Sequence, residues 1–120
     1  MKLPSVLMVD DDDDSAFLVK HWVDKEQLCS SLTIVLNGEE ALSYLKNNPC
    51  PDFILLDINM PRMNGWEFLS EYHKQITNCP SKIILVSVSE NPDDKLKAQS
   101  FNISYIQKPL TIAVLKKILS

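Results

Sequence analysis

The chain has 120 residues, 45% of them apolar and 23% charged, which is the make-up of one globular domain large enough to bury a real core and not of a disordered tail. Its net charge of −4 and pI near 5.0, with lysines and arginines scattered along the chain, disfavour nucleic-acid binding and point to a protein partner. No apolar stretch reaches the length of a membrane span and Met1-Lys2-Leu3-Pro4 has no signal-peptide pattern, so a cytoplasmic protein with no membrane partner is expected.

From the N-terminus, short apolar runs alternate with stretches of helical period, the signature of βαβ units around a parallel sheet. Val6–Val9 predicts the first strand, and five aspartates, Asp10 to Asp14, follow it directly. A helix is predicted over Ser15–Leu28, capped by Asp14 or Ser15, with Leu18, Val19, Trp22 and Val23 as the stripe that faces the sheet. A strand at Leu32–Leu36 leads into a helix over Gly38–Asn48 that turns Ala41, Leu42 and Leu45 inward. The third pair is Phe53–Leu56, which ends at Asp57, and a helix over Gly65–Ile76. Asn37 and Asn64 are each followed three residues later by glutamate, Glu40 and Glu67, the spacing of side-chain caps on a helix start. Lys82–Val86 is the fourth strand. Asn91 then caps a helix over Pro92–Phe101, with proline at the first helical position and Asp94 at the third. Ile103–Ile106 and a helix over Thr111–Leu119 complete the series.

The central runs are almost purely aliphatic, as strands covered on both faces must be. The fold class is therefore α/β, a five-stranded parallel sheet doubly wound in (βα)5 order, with one domain over residues 1–120. Trp22 and Trp66 lie on helical stripes and are read as core. Cys29, Cys50 and Cys79 are odd in number, lack C-x-x-C spacing, and two of them adjoin prolines; they are read as reduced thiols.

Parallel strands deliver the residues that follow them to one sheet edge, where open α/β folds keep their ligand sites. Asp10 and Asp11 after the first strand, Asp57 after the third, Ser87 after the fourth and Lys108 after the fifth meet there. At about 4 Å and an effective dielectric of about 20, two carboxylates repel by on the order of 4 kcal/mol, so the cluster asks for a cation. All-oxygen ligands favour Mg²⁺ over zinc. Two acids for a cation, a third acid as nucleophile, and a hydroxyl and an ammonium for anionic oxygens are the equipment of phosphoryl transfer onto a carboxylate. A calcium loop is the competing reading of the acidic run. It fails because the sixth position from Asp10 is Ser15, not glycine, and the twelfth is His21, not glutamate. Asp12, Asp13 and Asp14 are read as solvated loop positions or a helix cap, and His21 and His73 as surface residues.

Val9-Asp10-Asp11, Asp57-Ile58-Asn59-Met60-Pro61, Asn64-Gly65, Val86-Ser87 and Lys108-Pro109 occur in this order, and at these spacings the chain resembles the receiver domains of two-component response regulators over its whole length. The segments at 63–69 and 89–94 are similar to those of small stand-alone receivers of Bacteroidetes. The resemblance implies a flavodoxin-like receiver fold in which Asp57 accepts a phosphoryl group from a histidine kinase or phosphotransfer protein. It implies Mg²⁺ bound directly by Asp11, largely through water by Asp10, and by Asp57 and the backbone carbonyl of Asn59. Lys108 and Ser87 would each take a phosphoryl oxygen, and the Lys108-Pro109 bond would be cis. Ser87 and Tyr105, the aromatic three residues before Lys108, would form the switch, Tyr105 moving inward as the Ser87 hydroxyl turns to the phosphoryl group. Val88 stands where many receivers carry alanine or glycine and would narrow access to Asp57; Asn102 replaces a turn glycine.

The resemblance also implies a signalling module, monomeric or weakly dimeric, that acts on a downstream protein and is not a turnover enzyme. A non-phosphorylated receiver-like scaffold is the alternative, and the intact set Asp10, Asp11, Asp57, Ser87 and Lys108 argues against it. A phosphatase of the haloacid dehalogenase type would need an acid where Asn59 stands.

Overall fold

The computed structural model describes residues 3–120, so Met1 and Lys2 of the N-terminal reading lie outside the described residues. Five strands, β1 (Ser5–Val9), β2 (Ser31–Val35), β3 (Phe53–Leu56), β4 (Lys82–Ser87) and β5 (Ser104–Gln107), alternate with five helices. These are α1 (Asp13–Glu26), α2 (Gly38–Asn47), α3 (Gly65–Gln75), α4 (Pro92–Ser100) and α5 (Ile112–Leu119). The strands form one parallel sheet in the order β2-β1-β3-β4-β5. Chain order reverses between β1 and β3, which opens a crevice beyond their C-terminal ends.

The pleat sends alternate residues to two separate cores. Leu7, Val9, Ile54, Leu56, Ile83 and Leu85 pack against Ala41, Leu42 and Leu45 of α2, Phe68, Leu69 and Tyr72 of α3, and Ala98 of α4. Val6, Met8, Leu55, Ile84 and Val86 pack on the other face against Val19 and Val23 of α1 and Leu115 and Leu119 of α5. The sheet is thus buried on both sides, as its aliphatic strands require. No helix among the described residues is long and apolar enough to cross a membrane.

Asn37, Asn64 and Asn91 cap their helices, accepting from the N–H groups of Glu40, Glu67 and Asp93, and Asn64 with Glu67 closes a full capping box. Asn102 takes the left-handed conformation expected of it, with φ 58°. α1 begins earlier than expected. Its cap is Asp12, not Asp14 or Ser15, because the Asp12 carboxylate accepts from the Asp14 N–H at 3.1 Å and the Ser15 hydroxyl at 2.8 Å. Of the α1 stripe, Val19 and Val23 are buried and Trp22 is half-buried, while Leu18 is 45% exposed, outside the arc that reaches the sheet.

The reading of three reduced thiols is overturned for two of them, since Cys50 and Cys79 form a disulfide and Cys29 remains free. The cause is strand register. Phe53 of β3 pairs with Lys82 of β4, and each cysteine lies three residues ahead of its strand's first residue. Equal offsets from paired strand starts bring the two loops together, with the Cα atoms 5.6 Å apart.

Candidate functional site

The crevice at the β1/β3 switch point is built by backbone before any side chain acts. The N–H of Asp10 donates to the Val35 carbonyl at 3.0 Å and the N–H of Asp57 to the Val9 carbonyl at 2.9 Å, so ladder bonds carry both acids past the strand ends. α3 then closes tightly on this backbone. A side-chain carbon at Gly65 would stand 2.5 Å from the Asp57 carbonyl oxygen and 2.9 Å from the Ile58 Cα. Only glycine lets the helix start there, and its N–H donates to the Ile58 carbonyl at 2.8 Å.

Asp10, Asp11 and Asp57 each offer a carboxylate oxygen within 4.8 Å of the others. Asp10 and Asp57 are buried, at 3% and 7% exposure, and Asp11 is exposed at the mouth. One ammonium answers them from within the cluster. Lys108 Nζ donates to Asp10 at 2.8 Å and lies 3.8 Å from both Asp57 and Asp12. Its backbone N–H donates to the Ser87 carbonyl at 2.8 Å, and the following bond to Pro109 is cis.

Charge in this crevice is under-compensated. Burial, and next the neighbouring Asp10 carboxylate, push the Asp57 carboxyl up to about 6, against the pull of Lys108 and the N–H of Ile58. Burial works against the Lys108 ammonium, but its hydrogen bond to Asp10 and the charges of Asp10, Asp57 and Asp12 outweigh that and raise its pKa. Two buried acids and an exposed third facing one ammonium leave a net negative, all-oxygen pocket, and this fits a hard divalent cation.

The remaining expected residues ring the acids. Ser87 is fully buried at the end of β4, where its hydroxyl accepts from the Ser89 N–H at 3.3 Å. Tyr105 is half-buried in β5, and its hydroxyl donates to the Ser89 carbonyl at 2.7 Å. Asn59 is exposed in the loop after β3, two residues beyond Asp57, and Val88 is 64% exposed beside Ser87. Sequence reasoning passed over Asp12 as a neighbour of Lys108. It also gives no sign of the hydrogen bonds by which Asp94, with the half-buried Ser89 and Trp66, joins α3 to the start of α4. Nothing local marks such pairings, because they depend on where α4 settles.

A solved two-component response regulator from Cytophaga hutchinsonii superposes with a TM-score of 0.86 at 31% identity, over 98% of this chain and 95% of that one. The phosphorylated cyanobacterial phytochrome response regulator RcpA superposes with a TM-score of 0.82 at 27% identity, over 98% and 89%. Among curated relatives, a putative transcriptional regulator of Haloferax volcanii is 31% identical over 93% of this chain, which spans only 18% of that relative's length. The pattern that defines the response regulator receiver domain matches residues 6–120. It starts inside β1 and runs through the last residue of the chain, so it takes in every strand that feeds the crevice, and this chain belongs to the response regulator receiver domain family.

Proposed function

We propose that Asp57 is the phosphoacceptor of this receiver domain, which extends over residues 1–120 and takes its phosphoryl group from a phosphohistidine of a kinase or phosphotransfer protein. The observation that carries the reading is a buried carboxylate whose oxygen lies within 4.8 Å of those of Asp10 and Asp11 and 3.8 Å from Lys108. An Asp57 oxygen attacks phosphorus, the donor's N–P bond breaks with its electron pair returning to imidazole, and an acyl phosphate forms. Asp10, Asp11 and Asp57, with the backbone carbonyl of Asn59, would hold Mg²⁺, which when bound offsets the repulsion between the anionic nucleophile and the anionic donor.

The chain's own residues do the rest. Lys108 swings from Asp10 to an oxygen of the arriving phosphoryl group, and its short distance from Asp57 makes this a small movement. The Ser87 hydroxyl donates to another oxygen, giving up its bond with the Ser89 N–H. Tyr105, held on Ser89, responds to that loss and alters the face that a downstream protein reads. Phosphotransfer of this kind takes place in the cytoplasm, where thiol buffers would keep Cys50 and Cys79 reduced, so the disulfide belongs to the oxidised form.

The test is intact-mass analysis and NMR of the protein with Mg²⁺ and a small phosphodonor or beryllofluoride, beside Asp57→Asn. An Mg²⁺-dependent adduct in the parent alone supports the phosphoacceptor reading. Binding of neither metal nor phosphoryl analogue would replace it with a constitutive scaffold. Tyr105→Ala should leave adduct formation intact and weaken output; equal loss of both would remove Tyr105 from the switch.

A further inference from the structure

The loop between β4 and α4 holds hydrogen bonds that neither the nucleophile nor the candidate metal ligands use. Ser89 is at their centre. Its N–H donates to the Ser87 hydroxyl at 3.3 Å, and its carbonyl accepts from Tyr105 at 2.7 Å. Its own hydroxyl donates to Oδ2 of Asp94. The second oxygen of that carboxylate accepts from the indole Nε1–H of Trp66 in α3 at 3.2 Å. Ser89, Asp94 and Trp66 are all half-buried, and both bonds to Asp94 end on an ionised acceptor, which makes them stronger than neutral ones.

Trp66 in turn leads onto an aromatic strip between α3 and α4. The Lys97 ammonium sits 4.9 Å above its ring, Phe101 stacks on it at 6.1 Å between centroids, and His73 stacks on Phe101 at 5.9 Å. Asp94 is the third residue of α4, so it moves with the start of that helix. A Ser87 hydroxyl that turns to Asp57 takes its acceptor away from the Ser89 N–H. Ser89 cannot then shift without drawing on Asp94 through one bond and on Tyr105 through another.

We infer that Asp94 is a positioning residue that couples Ser87 to Trp66, so that occupancy of the Asp57 site is reported at the α3–α4 face as well as at β5. This rests on the reading of Asp57 as the phosphoacceptor. One hydroxyl thereby reaches two aromatic side chains by separate routes, Tyr105 through the carbonyl of Ser89 and Trp66 through its hydroxyl.

The experiment is ¹H–¹⁵N NMR of the two indole N–H signals in the full chain, with Trp66→Phe assigning them and ¹⁹F NMR of beryllofluoride independently reporting the adduct. In the parent, adduct formation should displace the Trp66 indole signal. In Asp94→Ala the adduct should still form while the Trp66 displacement is lost. Asp94→Asn should restore it, because the amide oxygen can accept from the indole and the amide nitrogen can donate to Ser89. Ser89→Ala, which cuts the same link and leaves the backbone bonds to Ser87 and Tyr105, should behave as Asp94→Ala does and serves if that variant folds poorly. An adduct in the parent with an unmoved Trp66 signal, or a full displacement in Ser89→Ala, overturns the coupling alone. No adduct in the parent overturns the phosphoacceptor reading and the coupling with it.

Discussion

The two edges of this sheet solve opposite problems with the same register. At the C-terminal edge, strand ends deliver Asp10, Asp57, Ser87 and Lys108 into one crevice and leave a conflict of like charges there. At the N-terminal edge, the same alignment joins the loops ahead of β3 and β4 by a disulfide. Asp52 there accepts from the Ser5 N–H at 2.9 Å, and its carbonyl accepts from the Lys82 N–H at 3.0 Å. The difference is not one of hydrogen bonding, since among the described residues no buried side-chain polar atom lacks a partner. It lies in charge. One edge is closed by a covalent link that the oxidised form carries, and the other keeps a local conflict of charge that a divalent cation can relieve, which is where functional sites depart from the best-folded arrangement.

The comparison predicts that the N-terminal edge can be weakened without touching the other. With the cysteines 29 positions apart in sequence, the chain-entropy model assigns the disulfide about 3 to 4 kcal/mol of stability. Denaturant unfolding of the oxidised parent should lose that amount on adding a dithiol reductant, while a Cys50→Ser, Cys79→Ser double variant should start at the lower value and ignore the reductant. Mg²⁺ affinity should be the same in all four samples. A drop in affinity that follows the disulfide would mean that the edges are mechanically linked through β3 and β4.

The C-terminal edge was the more legible of the two in the sequence, for a physical reason. Asp10, Asp57 and Ser87 each directly follow an apolar run and Lys108 stands one residue beyond the last strand, and a parallel sheet needs no further information to bring such residues together. Caps at Asn37, Asn64 and Asn91 were readable because a helix start states its need within four residues. Cys50 and Cys79 were misread because their meeting depends on which strands are neighbours and in what register, and spacing along the chain encodes neither. Asp12 was missed as a neighbour of Lys108 because the acids of a run look alike until the helix they cap is placed. Leu18 was assigned inward because α1 spends a narrower arc on the sheet than its apolar stripe offers.

A smaller effect separates the edges by pH. The Asp57 carboxyl rises from an ordinary 3.8 to about 6, chiefly through burial and then through Asp10. Between those values the folded chain holds more protons than the unfolded one, so this group's contribution falls as pH rises, and its full cost is felt above the folded value. Asp57→Asn removes that cost. In the absence of divalent metal the variant should exceed the parent by on the order of 1 to 3 kcal/mol at about pH 7.5, with the margin shrinking towards about pH 4.5. Mg²⁺ should raise the parent's stability at neutral pH and leave the variant nearly unchanged. Equal margins at both pH values would show that Asp57 is not under the strain that distinguishes this edge.

The smallest expected effect concerns access to the crevice. Val88 follows Ser87 and is 64% exposed, so its β-branched side chain is free of the core and costs little stability to truncate. Standing next to Ser87, it can still narrow the approach of a small donor to Asp57, which is 7% exposed. Val88→Ala should therefore react faster with a small phosphodonor by less than about tenfold, a barrier change under about 1.4 kcal/mol, with Mg²⁺ affinity and unfolding midpoint as in the parent. The comparison sharpens if only the rate changes, because access is then set at the rim while binding is set by the acids beneath. A variant no faster than the parent would place the restriction deeper, among the acids themselves, where Lys108 is bonded to Asp10 at 2.8 Å.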